Sequence, residues 1–234
     1  MQVNNRQFSD IWYKLPNIAM ELARVEGNNL KRESPERRRE ILAAVLRVLR
    51  EQGISGASTA RIAAQANCSK ETIYNWFGDR AGLFAALISE QSKAVNVMLA
   101  GSIEKHAEHS VDVKADLTNF AAALLDLLTG EASLLINRAA IGEIGNGNKL
   151  AATLLTKGRG KTSPMVINLL EQARDQGLME FDDSSEVFSI FFGLIIADRQ
   201  IRTLLGDEAA RPDGKDMRQL AEKAVSRLFL IFGP

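Results

Sequence analysis

The chain has 234 residues, 46% of them hydrophobic and 6% aromatic, with 29 Lys or Arg balanced by 29 Asp or Glu. That is enough apolar material for one large or two modest cores. A formal net charge of zero excludes a chain that attracts nucleic acid over its whole surface; such a partner requires positive charge gathered on one face.

Residues 1–33 read as an arm with an apolar cluster at Ile11, Trp12, Leu15 and Ile18, interrupted by Pro16. Ser34-Pro35 has the form of an N-cap followed by proline at the first helical position. A helix follows to about Gln52. Its apolar stripe is Ile41, Leu42, Val45, Val48 and Leu49, spaced by three and four. Gly53 is the expected stop. Ser58 caps a second helix, Thr59 to Ala66. After the short Asn67-Cys68 connection, Ser69 caps a third, Lys70 to Phe77. Gly78 ends it, Asp79 caps again, and a long helix runs on through Leu83, Leu87, Val95 and Met98. Beyond residue 110 the helical pattern continues over 113–129, 132–144, 148–157, 163–176, 184–205 and 214–232. Gly130, Gly145-Asn146-Gly147, Gly158 with Gly160, Gly177 and Gly206 punctuate it.

The fold class is therefore all-α: an arm over 1–33, a three-helix module over 34–82 with a helix-turn-helix, and a larger helical domain over 83–234. Leu and Ala dominate the apolar content, and both lose little freedom in a helix. Cys68 is the single cysteine, so no intrachain disulfide forms, which fits a reducing cytoplasm. Met1–Asp10 lack the apolar region of a signal peptide. The longest apolar run, Phe188 to Ile196, is far shorter than the ~20 residues of a membrane span. A cytoplasmic location without membrane contact is expected.

The third helix carries the chemistry. At about 100° per residue, Ile73 and Phe77 fall together as a two-residue core face. Glu71, Thr72 and Asn75 fall opposite, with Tyr74 and Trp76 on the shoulders and Lys70 on the Tyr74 side. Those groups suit the major groove of double-stranded DNA. Asn75 has the geometry to engage adenine N6 and N7, and Glu71 to accept from cytosine N4. Lys70, the free N–H groups at the helix start, and the hydroxyls of Ser69 and Tyr74 suit phosphates. Thr59 and Arg80 would flank the groove. Between Lys31 and Arg80, ten Lys or Arg stand against six Asp or Glu. Three-helix units without a DNA role show similar caps and periodicity, so the pattern alone leaves that reading open.

The combination Arg39, Gly53, Ser58-Thr59, Ile62-Ala63, Asn67-Cys68-Ser69-Lys70, Tyr74, Trp76-Phe77-Gly78-Asp79-Arg80 and Leu83-Phe84 closely resembles the TetR/AcrR family of regulators. The resemblance covers about fifty residues. It implies that Thr59, Ser69, Lys70, Tyr74, Trp76 and Arg80 touch DNA, mostly phosphates, and that Glu71, Thr72 and Asn75 set operator choice. It also implies repression of a palindromic operator, a homodimer and a small-molecule effector. The chain departs from the family at Asn67, where glycine is usual, at Cys68, and in its longer arm. The run Phe191 to Gly206 resembles the AefR-like subgroup, which implies that 184–205 and 214–232 pair with a second subunit.

From that resemblance, effector candidates are Met98, Phe120, Leu124, Leu128, Arg138 and Met165. Interface candidates are Phe188, Phe191, Phe192, Ile195, Arg199, Arg202 and Leu228. The apolar group around Phe188 to Ile195 exceeds one helix face, so part of it meets another subunit or a cavity. Asp198, Arg199 and Arg202 read as intersubunit ion pairs or as contacts to a charged ligand. Cys68 reads as a small buried residue, with a redox switch as the alternative. His106 and His109, spaced i and i+3, lack a third ligand and read as a solvated helix end rather than a metal site. Lys157-Gly158-Arg159-Gly160-Lys161 follows no strand and reads as an interhelical loop rather than a phosphate loop. No catalytic set, metal motif or cofactor loop is found, so neither cofactor nor enzymatic turnover is expected. A DNA-binding protein without effector, or an enzyme with an appended helical module, are the alternatives.

Overall fold

A computed structural model of the protein describes residues 34–106, 112–144 and 149–234. The arm, His109 and the Gly145-Asn146-Gly147 run lie outside the described residues, as does the side chain of His106. Among the described residues the chain is helical, with no strand.

Helix α1 (Pro35–Gly56) starts where the Arg37 N–H donates to the Ser34 hydroxyl at 3.1 Å. Its regular part breaks at Gly53, whose φ of 64° a side chain would strain. Ile41, Leu42, Val45, Val48 and Leu49 are all buried. Helix α2 (Thr59–Gln65) and helix α3 (Lys70–Phe77) follow, capped by Ser58 and Ser69. Between them Asn67 adopts φ 51°. Its N–H donates to Ala64 O, and the Cys68 N–H donates to Ala63 O at 2.9 Å. This is a Schellman closure with Asn in the left-handed position where glycine is commoner. Asn tolerates that conformation, so the turn survives the departure from glycine.

Helix α4 (Arg80–His106) is 27 residues long and belongs to two cores. Leu83, Phe84, Leu87 and Ile88 pack with α1, α2 and α3, whereas Val95 and Leu99 pack into the larger domain. Helix α5 (Val113–Thr129) and helix α6 (Glu131–Gly142) come next. Helix α6 sends Ile136, Ala139 and Ala140 into the head's core, joined by Leu150 of α7 (Lys149–Leu154). The packing therefore shows no break at residue 82.

The 157–161 run is not an interhelical loop. From α7 the chain continues through a π turn, Leu155–Arg159, into α8 (Gly160–Asp175). Pro164 inside α8 offers no N–H to the carbonyl one turn earlier, and such helices widen or kink there. A Cβ on Gly160 would come within 3.2 Å of the Leu155 carbonyl oxygen, so glycine suits this wide turn. The two glycines cost helical propensity, about 1 kcal/mol each, and Gly158 sits beside Ile88 of α4.

The 184–205 segment is also not one helix. Helix α9 (Ser184–Ile196) stops at Ala197, at φ 47° and ψ −127°, and α10 (Arg199–Leu204) follows. After a 3₁₀ turn, Glu208–Ala210, the last helix α11 (Gly214–Phe232) packs along α5. Arg218 of α11 donates to Asn119 of α5 at 2.7 Å, and the Phe120 and Phe191 rings lie 6.1 Å apart inside the larger core. No single helix among the described residues is long and apolar enough to cross a membrane.

Ala197 is exposed and holds a backbone conformation that glycine adopts without strain. Ala197→Gly should stabilise the protein by about 1 kcal/mol, read as a higher urea midpoint at unchanged slope. A lower midpoint would show that the Ala197 backbone is not strained.

Candidate nucleic-acid interface and cavity

Helix α3 buries two side chains, Ile73 at 0% and Phe77 at 7% exposure, and Trp76 packs partly against the same core. Everything else on it is available to a partner or to the shoulders. Lys70, Glu71, Asn75 and Tyr74 are exposed, Tyr74 at 50%. Thr72 and Trp76 are half-buried. The Ser69 hydroxyl accepts from the Thr72 N–H at 3.1 Å and lies 3.0 Å from the Thr72 hydroxyl. Both hydroxyls thus spend part of their capacity on the cap. Thr59, the first residue of α2, is half-buried.

The turn before α3 is clamped from α1. Arg37 donates to the carbonyls of Ala66 at 2.7 Å and Asn67 at 2.8 Å, and pairs with Glu40. Arg38 stacks over the Phe77 ring at 4.5 Å and donates to Trp76 O. Neither arginine was singled out by the sequence reading; the Arg37-Arg38-Arg39 run was the available signal. The clamp, the turn and α3 enclose a concave surface bordered by Arg37, Glu71, Asn75 and Trp76.

Arg80, expected at the groove flank, makes three contacts within the protein while its side chain stays 38% exposed. Its guanidinium turns inward and donates to Ala57 O at 3.0 Å, to Ile54 O at 3.2 Å and to Glu143 at 2.5 Å. It also lies 5.3 Å from the centre of the Phe84 ring. These bonds join the α1–α2 connection, the start of α4 and the end of α6. Arg50 of α1 pairs with Glu131 at the start of α6, also at 2.5 Å. Head arginines therefore hold α6 at both ends.

A cavity of about 200 Å³ lies where the two cores meet. Ile88 and Ile136 reach it from the head's core, and Phe120, Leu124 and Phe188 from the larger one. Of the six effector candidates, Phe120, Leu124 and Leu128 line it. Met98 and Met165 instead pack against the larger core and do not reach the cavity. Arg138 points elsewhere: it donates to Leu204 O at 3.1 Å and Thr203 O at 3.0 Å, over a separate cleft beside α10. The unforeseen wall residues include Gln91, Ser92, Asn137 and Arg159. Behind them Thr162 donates to Asn96, which in turn donates to Ser92, tying α8 to α4.

The interface candidates also divide. Phe188, Phe191, Ile195 and Leu228 are buried in the protomer's own core. Phe192 is half-buried and lines the cavity, as the alternative reading of that cluster allowed. Arg202 is held by Asp207 at 2.5 Å and by Asp198 at 3.8 Å, within one chain, and Arg199 is half-buried. The larger apolar residues left exposed near these helices are Ile201, Leu205, Leu230 and Ile231.

Cys68 is half-buried, and burial pushes its thiol pKa up, opposed by the nearby Arg37 charge. At pH 7–8 the thiolate is correspondingly depleted. Cys68 should react with a disulfide reagent more slowly than a small free thiol at pH 8, and unfolding in guanidinium should restore the rate. Equal rates before and after unfolding would identify an accessible, activated thiol.

Residues 41–87 match the family described as bacterial regulatory proteins, tetR family, and residues 115–233 match the AefR-like transcriptional repressor C-terminal domain. A TetR transcriptional regulator from Agrobacterium tumefaciens is 37% identical, with a TM-score of 0.68 over 86% of this chain and 96% of that one. A TetR-family regulator from Mesorhizobium loti is 21% identical, TM-score 0.70, over 86% and 100%. FadR from Bacillus subtilis, solved with stearoyl-CoA, is 17% identical, TM-score 0.63, over 81% and 96%. No curated protein matches the chain.

Proposed function

Because the chain belongs to the tetR family of bacterial regulatory proteins and ends in an AefR-like repressor domain, we propose that this transcriptional regulator is a homodimeric repressor that a small molecule releases from a palindromic operator. The observation that carries the reading is the cavity whose walls come from both cores. An occupant there touches the head and the larger domain at once.

In this reading α3 enters the major groove. Lys70, Tyr74, Ser69 and Thr59 position the head on phosphates, and Glu71, Thr72 and Asn75 read base edges, with Trp76 on the shoulder. Arg80 positions the head from within rather than touching DNA. The outward faces of α9 and α11, which carry exposed Gly193, Leu230 and Ile231, pair with the same faces of a second copy. Two-fold symmetry then requires half-sites in inverted repeat, at a spacing set by the two α3 helices.

Helix α6 is the second route by which the cavity speaks to the head, besides α4. Ser133, Ile136 and Asn137 from its middle line the cavity, while Glu131 and Glu143 at its ends grip Arg50 and Arg80. Displacement of α6 by an occupant would carry the head with it. The coupling is reciprocal: a ligand that weakens DNA binding itself binds more weakly to the DNA-bound protein. The FadR complex with stearoyl-CoA supports a small-molecule occupant in kind. Family membership also supports binding without turnover, so a bound effector should be recovered chemically unchanged.

Selection of bound DNA from a random library should enrich an inverted repeat, and enrichment of single half-sites would overturn the dimeric reading. On the selected site, Lys70→Ala should lower the slope of log affinity against log salt by about 0.9, one phosphate contact. An unchanged slope would remove Lys70 from the DNA face. Asn75→Ala should cost about 1–3 kcal/mol on the operator and relax preference at one base pair. Equal losses on operator and random DNA would show that Asn75 reads no base.

A further inference from the structure

The cavity has one charged residue in its wall, Arg159. It stands on the π turn with its guanidinium carbon 4.7 Å from the centre of the Phe192 ring and 5.5 Å from that of Phe188. Both rings also line the cavity. Among the described residues Arg159 has no carboxylate partner, whereas Arg50, Arg80 and Arg202 each have one. Contact with the two rings spends no N–H donor, and among the described residues the guanidinium makes no hydrogen bond, so its donors remain for a carboxylate, which arginine grips bidentately.

The segment that carries Arg159 has the same sign. From Ile144 to Leu170 the sequence contains Lys149, Lys157, Arg159 and Lys161 and no Asp or Glu. Lys157, Arg159 and Lys161 are exposed on the π turn and the start of α8. A cleft bordered by one sign of charge concentrates ligands of the other. The interior is different in character. Leu124, Leu127, Leu128 and Phe120 offer an apolar bed, and the neutral polar points around it include Gln91, Asn137 and Gln200 and the hydroxyls of Ser92, Ser133 and Thr162. At about 200 Å³ the space is below the ~300–1,000 Å³ of sites for drug-sized ligands, which scales to on the order of ten non-hydrogen atoms.

We infer that the effector is a small amphipathic carboxylate, its one-ring or short-chain apolar body in the cavity and its carboxylate on the edge of Arg159. This rests on the reading of the cavity as the effector site. The charge lies at the mouth, where it stays partly hydrated, and the body fills the junction of the two cores. A long acyl chain bearing a bulky nucleotide head exceeds this volume, so the ligand class differs from that seen in FadR.

The test uses the full chain, its selected operator, and a matched pair of probes, 3-phenylpropionate and 3-phenylpropionamide, which differ in charge but hardly in shape. The acid should bind about tenfold more tightly than the amide by calorimetry and release the operator at correspondingly lower concentration. Arg159→Gln should abolish that preference without changing operator affinity, and should lower the melting temperature of the free protein only slightly, through the two lost cation–π contacts. Arg159→Lys should retain most of it. Equal binding of acid and amide, a preference that survives Arg159→Gln, or binding of neither probe overturns the carboxylate assignment. Failure of the wider reading looks different: the wild-type protein would bind no selected operator, or bound ligand would leave operator affinity unchanged. A neutral compound that releases the operator would sink the carboxylate and keep the repressor.

Discussion

One helix has to satisfy two cores. The first turns of α4 bury Leu83, Phe84, Leu87 and Ile88 beneath the recognition head, and its later turns bury Val95 and Leu99 in the larger domain. An α-helix transmits displacement along its axis because every backbone bond is internal to it. Motion at one end of α4 therefore cannot be absorbed by a hinge between the domains. The head is an extension of the body's framework, and its small size is tolerable for that reason. Helices α1, α2 and α3 alone would bury little surface, and short helices gain most of their stability from packing.

Helix α6 reinforces the constraint. Its apolar residues Ile136, Ala139 and Ala140 belong to the head's core although they lie more than fifty residues downstream of it in the chain. Arg50–Glu131 and Arg80–Glu143 close its two ends onto the head. The exposed Arg50–Glu131 pair contributes little to stability, about 0–1 kcal/mol, whereas Arg80–Glu143 is partly buried. Their role is geometric, since they fix where α6 sits relative to α1 and α4. Arg80 shows how a fold reassigns a charge: three internal acceptors occupy donors that the sequence pattern directs towards phosphate.

The elements around the cavity were legible to different degrees. The caps at Ser34, Ser58 and Ser69, the stop at Gly53 and the bounds 113–129 and 214–232 are local signals, and the structure places them where the pattern does. The π turn was not legible, because Gly158, Gly160 and Pro164 are breakers in isolation, whereas the folded chain runs helically through them beside α4. The stop at Ala197 was equally hidden. Alanine is a strong helix former, and its left-handed φ is imposed by where α10 must go.

The all-helical class, the helix-turn-helix head and the core face of α3 at Ile73 and Phe77 are written locally in the chain. Those features depend on residues three and four apart, and such residues meet whatever the rest of the chain does. Which apolar residues face the chain's own core, which side chains meet at the cavity and which charges find partners depend instead on the packing of distant helices. Phe191, Ile195 and Leu228 turn inward, Arg138 reaches α10, Arg80 is consumed, and Arg159 is left open over Phe188 and Phe192. Each outcome rests on partners separated by tens of residues, whose distances are set by how the helices pack and not by the order in which they are written.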